Sequence, residues 1–208
     1  MAGSIEKQTI KLKEFIGSLI SLNQEEWDCL CGYLKVKTIR KNEFLLREGS
    51  VCNSIYYVDS GVLIYYKSLE NGDEITTDFA IAGDWVADNL SRLNNSPSLH
   101  NINAISDSEL ICIKNADLLK LFSEIPKLER LGRILIEQAF ISVVQQTIDL
   151  QILSAKERYL KLLNTRPDVF QLVPLHHIAN YLGVAPKSLS RIRNEISPEK
   201  FGNKCGAK

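Results

Sequence analysis

Five residues near the C-terminus have the chemistry to read nucleic acid: Lys187, Ser188, Ser190, Arg191 and Asn194. On a helical wheel of about 100° per residue, Leu189, Ile192 and Ile196 fall on one side. Lys187 and Asn194 lie opposite them, flanked by Ser190 and Arg191. Lys or Arg donates to the guanine edge in the major groove, and Asn pairs bidentately with adenine. Ser188, in the first turn and nearer the side, suits a phosphate, as does the helix N-terminus itself. Arg193 falls near the core boundary, where an ion pair or a backbone contact is expected.

A surface of this kind works only if a second helix holds it at a fixed angle. Counted from Leu175, a small residue (Ala179) stands fifth, Gly183 ninth, Leu189 fifteenth and Ile192 eighteenth. Ala179 lets the second helix cross closely, and Gly183 supplies the left-handed conformation of a tight turn between helices. Ile178, Leu182, Val184, Leu189 and Ile192 form the shared core. Pro186 stands at a first helical position, where its missing N–H costs nothing. Ala185 before it is a poor cap, worth about 0.5–2 kcal/mol less than Ser or Thr. His176 and His177 open the supporting helix as surface polar residues. The spacing predicts a helix-turn-helix over residues 175–196 with double-stranded DNA as its partner.

The charge distribution agrees. The chain carries 25 basic and 25 acidic residues in 208, yet residues 155–208 hold ten Lys or Arg against four Asp or Glu. That segment is suited to phosphate backbones, and the acidic excess lies ahead of it. A hydrophobic fraction of 45% and a charged fraction of 24% describe a soluble globular protein of two modest domains. No apolar run reaches the ~20 residues of a membrane span, and no signal peptide opens the chain, so a cytoplasmic location is expected. Cys29, Cys31, Cys52, Cys112 and Cys205 are odd in number and lack the spacing of a zinc site. They read as reduced thiols, with redox sensing as the alternative. No metal site is expected. No Ser-His-Asp order or glycine-rich phosphate loop is present, and His100, His176 and His177 fall in loop or surface positions, so the chain does not read as an enzyme.

Upstream, residues 5–34 show helical periodicity broken at Ser21 and Asn23. From residue 36 to 113 the period becomes that of short strands, with turns at 59–61, 70–73 and 82–84. Asn71-Gly72 predicts a tight hairpin with both residues at positive φ. The turn spacing indicates an antiparallel sandwich or barrel. After Pro126 a helical period runs for about 30 residues. Ile134, Ile141 and Ile148 are seven apart, and Leu131, Gln138, Gln145 and Ile152 fill a second seam position. One reading packs this helix only on its own β domain; the preferred one pairs it in a homodimer, with Gln138 and Gln145 setting register. A further helix covers 154–164, with Tyr159, Leu160, Leu162 and Leu163 inside. The expected division is an effector domain at 1–125, a dimerisation helix at 126–153 and a DNA-binding domain at 154–208.

Taken together, the chain resembles the CRP/FNR family of bacterial regulators, in its Bacteroidetes-type branch. Ile55-Tyr-Tyr-Val-Asp-Ser-Gly61 is similar to the family's strand-turn-glycine signature, and Gly83-Asp84-Trp85 to the Gly-Glu-Leu of its phosphate-binding cassette. Residues 182–191 resemble its recognition segment. The resemblance implies an α+β fold: an N-terminal antiparallel β-roll, the jelly roll of cyclic nucleotide-binding domains, with flanking helices, then a long dimerisation helix and a C-terminal helix-turn-helix domain. The wing that follows in other members is expected to be missing, because residues 197–208 show no strand pattern.

Departures from the family pattern set the specific expectations. Lys187 stands where members usually have a base-reading Glu, Arg191 where they have the second base-reading Arg, and Pro186 replaces the first Arg. The operator should therefore differ from the familiar palindrome. Cyclic-AMP binders place an Arg-Ser pair after the Gly-Glu-Leu to clamp the phosphate. Here the aligned residues are Ser98 and Leu99, and Arg92 is the nearby substitute. The effector pocket is thus read as Gly83, Asp84, Trp85, Arg92, Ser98 and Leu99, open to an unknown small molecule rather than a cyclic nucleotide. Cys29 and Cys31 lack the companions a [4Fe–4S] cluster needs, so no cofactor is expected. RNA polymerase joins DNA and a second copy as an expected partner. The competing reading is a small-molecule or redox sensor that acts through a protein partner and carries a vestigial helix-turn-helix.

Overall fold

The computed structural model describes residues 9–201, with side chains from 9 to 196. Expectations that fall on residues 1–8 or on the tail after 201 lie outside the described residues. The chain divides into two compact units, Met1–Ser142 and Val143–Lys208.

The first unit opens with α1 (Ile10–Leu19) and α2 (Gln24–Tyr33). Asn23 and Glu26 form a capping box at the start of α2, each side chain bonding the other's backbone N–H. Eight strands follow: β1 (Lys35–Ile39), β2 (Phe44–Leu46), β3 (Ser54–Ser60), β4 (Val62–Ser68), β5 (Glu74–Ile81), β6 (Trp85–Val86), β7 (Asn101–Ala104) and β8 (Ser108–Lys114). They form two four-stranded sheets, ordered β1-β8-β3-β6 and β2-β7-β4-β5, with antiparallel pairing throughout. The expected antiparallel β architecture is present.

Strand alternation gives the sheet that contains β3 two apolar faces. Val58 and Leu110 pack inward with Ile39, Leu63, Ala80, Val86, Ile102 and Ala104. Their neighbours Tyr57, Ile111 and Ile113 face a second core shared with α1 and α2, where Leu12, Ile16, Trp27 and Leu30 are buried. The period of two along each strand makes this double burial possible. Between β3 and β4, Gly61 has φ +98, and a Cβ there would lie 2.0 Å from Ser108 Oγ. Only glycine fits that corner.

The β4–β5 turn departs from the tight hairpin predicted at Asn71-Gly72. Gly72 has φ +86, but Asn71 is not among the residues of positive φ. The loop is longer, closed by Leu69 N–H donating to Asp73 O, and the Asn71 side chain accepts from Asp73 N–H. An asparagine that bonds its own backbone two residues on holds the turn without itself adopting positive φ, which Gly72 alone of the pair supplies.

Three helices complete this part of the chain: α3 (Asn89–Asn94), α4 (Asn115–Glu124) and α5 (Pro126–Ile152). The division between units falls inside α5, because Leu128 and Leu131 at its start are buried in the second core of the first unit. The second unit continues with α6 (Ala155–Thr165), α7 (Val169–Leu172), α8 (Leu175–Tyr181) and α9 (Pro186–Phe201). Ser154 and Glu157 form a capping box at the start of α6. Tyr159 and Leu162 of α6 are buried as expected, whereas Leu160 and Leu163 are half-buried.

Candidate DNA interface and effector region

Local chemistry fixes the angle between α8 and α9. At the end of α8, Gly183 N–H donates to Asn180 O and Val184 N–H to Ala179 O. These two bonds with a left-handed Gly183 (φ +66) form a Schellman motif, which satisfies carbonyls the helix leaves without partners. Pro186 opens α9 as expected. Ile178, Ala179, Leu182, Leu189, Ile192 and Ile196 are buried together. Val184, expected among them, is half-buried, because it sits in the turn rather than on a helix face.

With Leu189, Ile192 and Ile196 turned inward, Lys187, Ser190, Arg191 and Asn194 are exposed. Ser188 is half-buried at the side. Ser190 donates its hydroxyl to Pro186 O at 3.1 Å and keeps its acceptor capacity. The Arg191 guanidinium lies 3.7 Å from Glu195, one turn on, with its side chain 78% exposed. Such an exposed pair is worth about 0.3–0.5 kcal/mol, so it yields readily to a stronger acceptor. Glu195 went unremarked in the sequence reading, although its spacing of four from Arg191 signals it. Arg193 is exposed rather than at the core boundary.

Arg158 was also missed. It donates from Nε to Leu182 O at 3.0 Å and from Nη1 to Leu153 O at 2.6 Å, tying the turn after α8 to the end of α5. Its partners are backbone carbonyls, which leave no trace in a pattern of side chains. The His177 and His176 rings lie with centroids 3.9 Å apart, tilted 43° to each other. Burial first, and the neighbouring His176 second, hold His177 down to about 4, so it is neutral near pH 7. His176 is exposed, whereas His177 is half-buried rather than a surface residue.

The expected effector residues divide into separate groups. Gly83 adopts φ +97 and donates to Val58 O, and the Asp84 carboxylate accepts from Ile81 N–H at 2.9 Å, closing the turn before β6. Ser98 is buried and donates its hydroxyl to Asp88 Oδ2 at 2.6 Å. Asp88 also caps α3 through Ser91 N–H. Leu99, expected to face a buried phosphate, is 52% exposed. Ser98 and Leu99 lie ahead of β7, in a bend that buries the first and exposes the second.

Trp85 and Arg92 belong together elsewhere. Both line a cavity of about 850 Å³ on the helix-covered side of the first unit, with Ile55, Phe122 and the first turns of α5. Trp85 packs edge-on to Tyr57 at 5.5 Å, and its indole N–H is buried without a hydrogen-bond partner.

Along α5 the predicted seam is only partly free. Leu131 is a correction: it is buried in its own unit's core, because periodicity marks a shared face but not what covers it. Ile134 is half-buried, and Gln138, Ile141, Gln145, Ile148 and Ile152 are exposed. Gln145 donates to Asp149 on the same helix. Ile136, Phe140, Val143 and Leu150 form a second exposed apolar row. The Cys29 thiol donates to Glu124 at 3.2 Å, and that carboxylate pushes it up, away from thiolate reactivity. Among the described residues no group of three or more His, Cys, Asp or Glu is placed to hold a metal, and no helix is long and apolar enough to cross a membrane.

Comparison with known proteins returns the same architecture. The cyclic nucleotide-binding domain family matches residues 36–124. The chain is 29% identical over 184 residues to a fumarate and nitrate reduction regulatory protein of Vibrio cholerae, covering 83% of this chain and 73% of that protein. An anaerobic regulatory protein of Haemophilus influenzae is 28% identical over 185 residues, covering 83% of this chain and 71% of the relative. Among solved structures, FixK2 from Bradyrhizobium japonicum superposes with a TM-score of 0.69 at 19% identity, covering 84% of this chain and 89% of that one.

Proposed function

We propose that the chain, which is similar over most of its length to bacterial regulators of the CRP/FNR family, is a cytoplasmic, homodimeric, sequence-specific DNA-binding regulator. The observation that carries this reading is the exposed row Lys187, Ser190, Arg191 and Asn194 on a helix whose opposite side is buried. Arg191 and Lys187 read guanine edges, Asn194 reads adenine, and Ser188 with the α9 N-terminus holds phosphate. The basic excess of residues 155–208 supports attraction to the duplex.

A second copy supplies the second half-site. The exposed apolar residues of α5 support this, since helices that present such rows bury them against another helix. Five members of the predicted seam, Gln138, Ile141, Gln145, Ile148 and Ile152, remain available for it.

The effector is not a cyclic nucleotide in this reading. The positions of the family's Arg-Ser pair hold a Ser98 already bonded to Asp88 and an outward Leu99. A buried Asp88 at that corner repels a phosphate where a cation is needed. A cluster-free protein is supported by a Cys29 thiol that Glu124 keeps protonated. RNA polymerase is the protein partner through which the bound dimer acts.

Selection of bound duplexes from a random pool by the full chain tests the proposal. The expected product is an inverted repeat with half-sites about one helical turn apart. Recovery of unenriched sequence contradicts it.

A further inference from the structure

The cavity beside Trp85 contains a charge without a counterpart. Arg92 lines it and is half-buried. Its guanidinium makes its hydrogen bonds to the neutral Asn89 side chain, from Nε at 3.3 Å and Nη2 at 3.1 Å. Among the described residues no carboxylate forms an ion pair with it. Of the other charged residues on the wall, Glu129 and Arg130 are exposed and Arg133 is paired with Glu137. Burial pulls Arg92 below the usual guanidinium value, which records the cost of holding this cation away from water.

Most of the rest of the wall is apolar. Ile55, Ile113, Leu121, Phe122 and Leu135 line a space within the range of small-molecule sites, roughly 300–1,000 Å³. A largely apolar wall with one half-buried cation that has no acidic partner among the described residues matches a ligand with an apolar body and a single anionic head.

We propose that this cavity, rather than the interior of the β-roll, is the effector site, and that its ligand is an amphipathic monocarboxylate whose head pairs with Arg92. The ligand's regulatory meaning rests on the transcription-regulator reading above, but its binding does not.

Calorimetric titration of the full chain, without DNA, separates the two. Decanoate and decan-1-ol serve as probes that differ in charge and share the apolar body. Decanoate is expected to bind with one site per chain and about tenfold more tightly than decan-1-ol. The Arg92→Gln variant is expected to lose that preference and to bind decan-1-ol as the parent does, which also shows an intact cavity. Arg92→Lys should keep part of the preference. No saturable binding of either probe overturns the proposal, as when a second copy of the chain fills the cavity. Equal affinity for acid and alcohol, or a preference that survives in Arg92→Gln, overturns it as well. None of these failures touches the DNA-binding reading, which the duplex selection decides separately.

Discussion

Replacing Arg158 by Leu removes the clamp that holds the turn of the helix-turn-helix. Its Nε and Nη1 donors satisfy Leu182 O and Leu153 O, both at helix C-termini where carbonyls lack intrahelical partners. A hydrogen bond from a charged donor contributes about 1.5–3 kcal/mol. Arg158 is half-buried, so water recovers part of each bond, and the pair is worth about 2–4 kcal/mol in total. Against the 5–15 kcal/mol stability typical of a domain, that loss is large. Equilibrium urea unfolding at pH 7, followed by circular dichroism, measures it. Arg158→Lys should fall between parent and Arg158→Leu, because one ammonium cannot span two carbonyls as a planar fork does. Lys187→Gln, on the exposed face, is the control and should stay within about 0.5 kcal/mol of the parent. A loss in Arg158→Leu no greater than that of Lys187→Gln would refute the clamp.

Two further perturbations test other parts of the structure. Gly61→Ala places a Cβ 2.6 Å from Ser108 Cα at φ +98, so neither backbone nor side chain can yield cheaply. The expected cost is about 3 kcal/mol or more in urea unfolding, and a change below about 1 kcal/mol contradicts the close approach. His177 has a folded value of about 4, below the 6.5 of the free side chain, so the unfolded chain binds its proton first as pH falls. Its contribution is therefore intact above pH 6.5 and is lost as pH drops from 6.5 towards 4. Partial exposure reduces the full shift to about 1–2 kcal/mol. His177→Gln should lose less stability than the parent between pH 7 and pH 5, and identical profiles contradict the assignment.

What could be read from residues alone follows from the range of the forces involved. Ala179, Gly183 and Pro186 were legible because close approach, left-handed geometry and a missing N–H are demands made within a few residues. The turn at Asn71 misled because its side chain supplies a local bond that the dipeptide rule does not weigh. Ser98 was read as a departure from the family pattern, but its direction depends on Asp88, ten positions earlier, which no spacing rule links to it. Arg92 and Trp85 were picked as pocket residues, yet periodicity did not show that they line a cavity on the helical side while Gly83 and Asp84 close a turn. The apolar stripe of α5 was visible as a stripe. That Leu131 is already covered by its own unit depends on Leu121 and Ile125, which come from the preceding helix and its end.

The central claim is that the outward row of α9 reads base edges. Fluorescence anisotropy of the full chain and of Arg191→Ala, each titrated onto the selected inverted repeat and a scrambled duplex over a range of salt, tests it most directly. The parent should prefer the repeat by roughly 10³-fold or more, with affinity falling steeply as salt rises. Arg191→Ala should lose about 1–3 kcal/mol of that preference. Equal binding of both duplexes by both proteins would contradict the account.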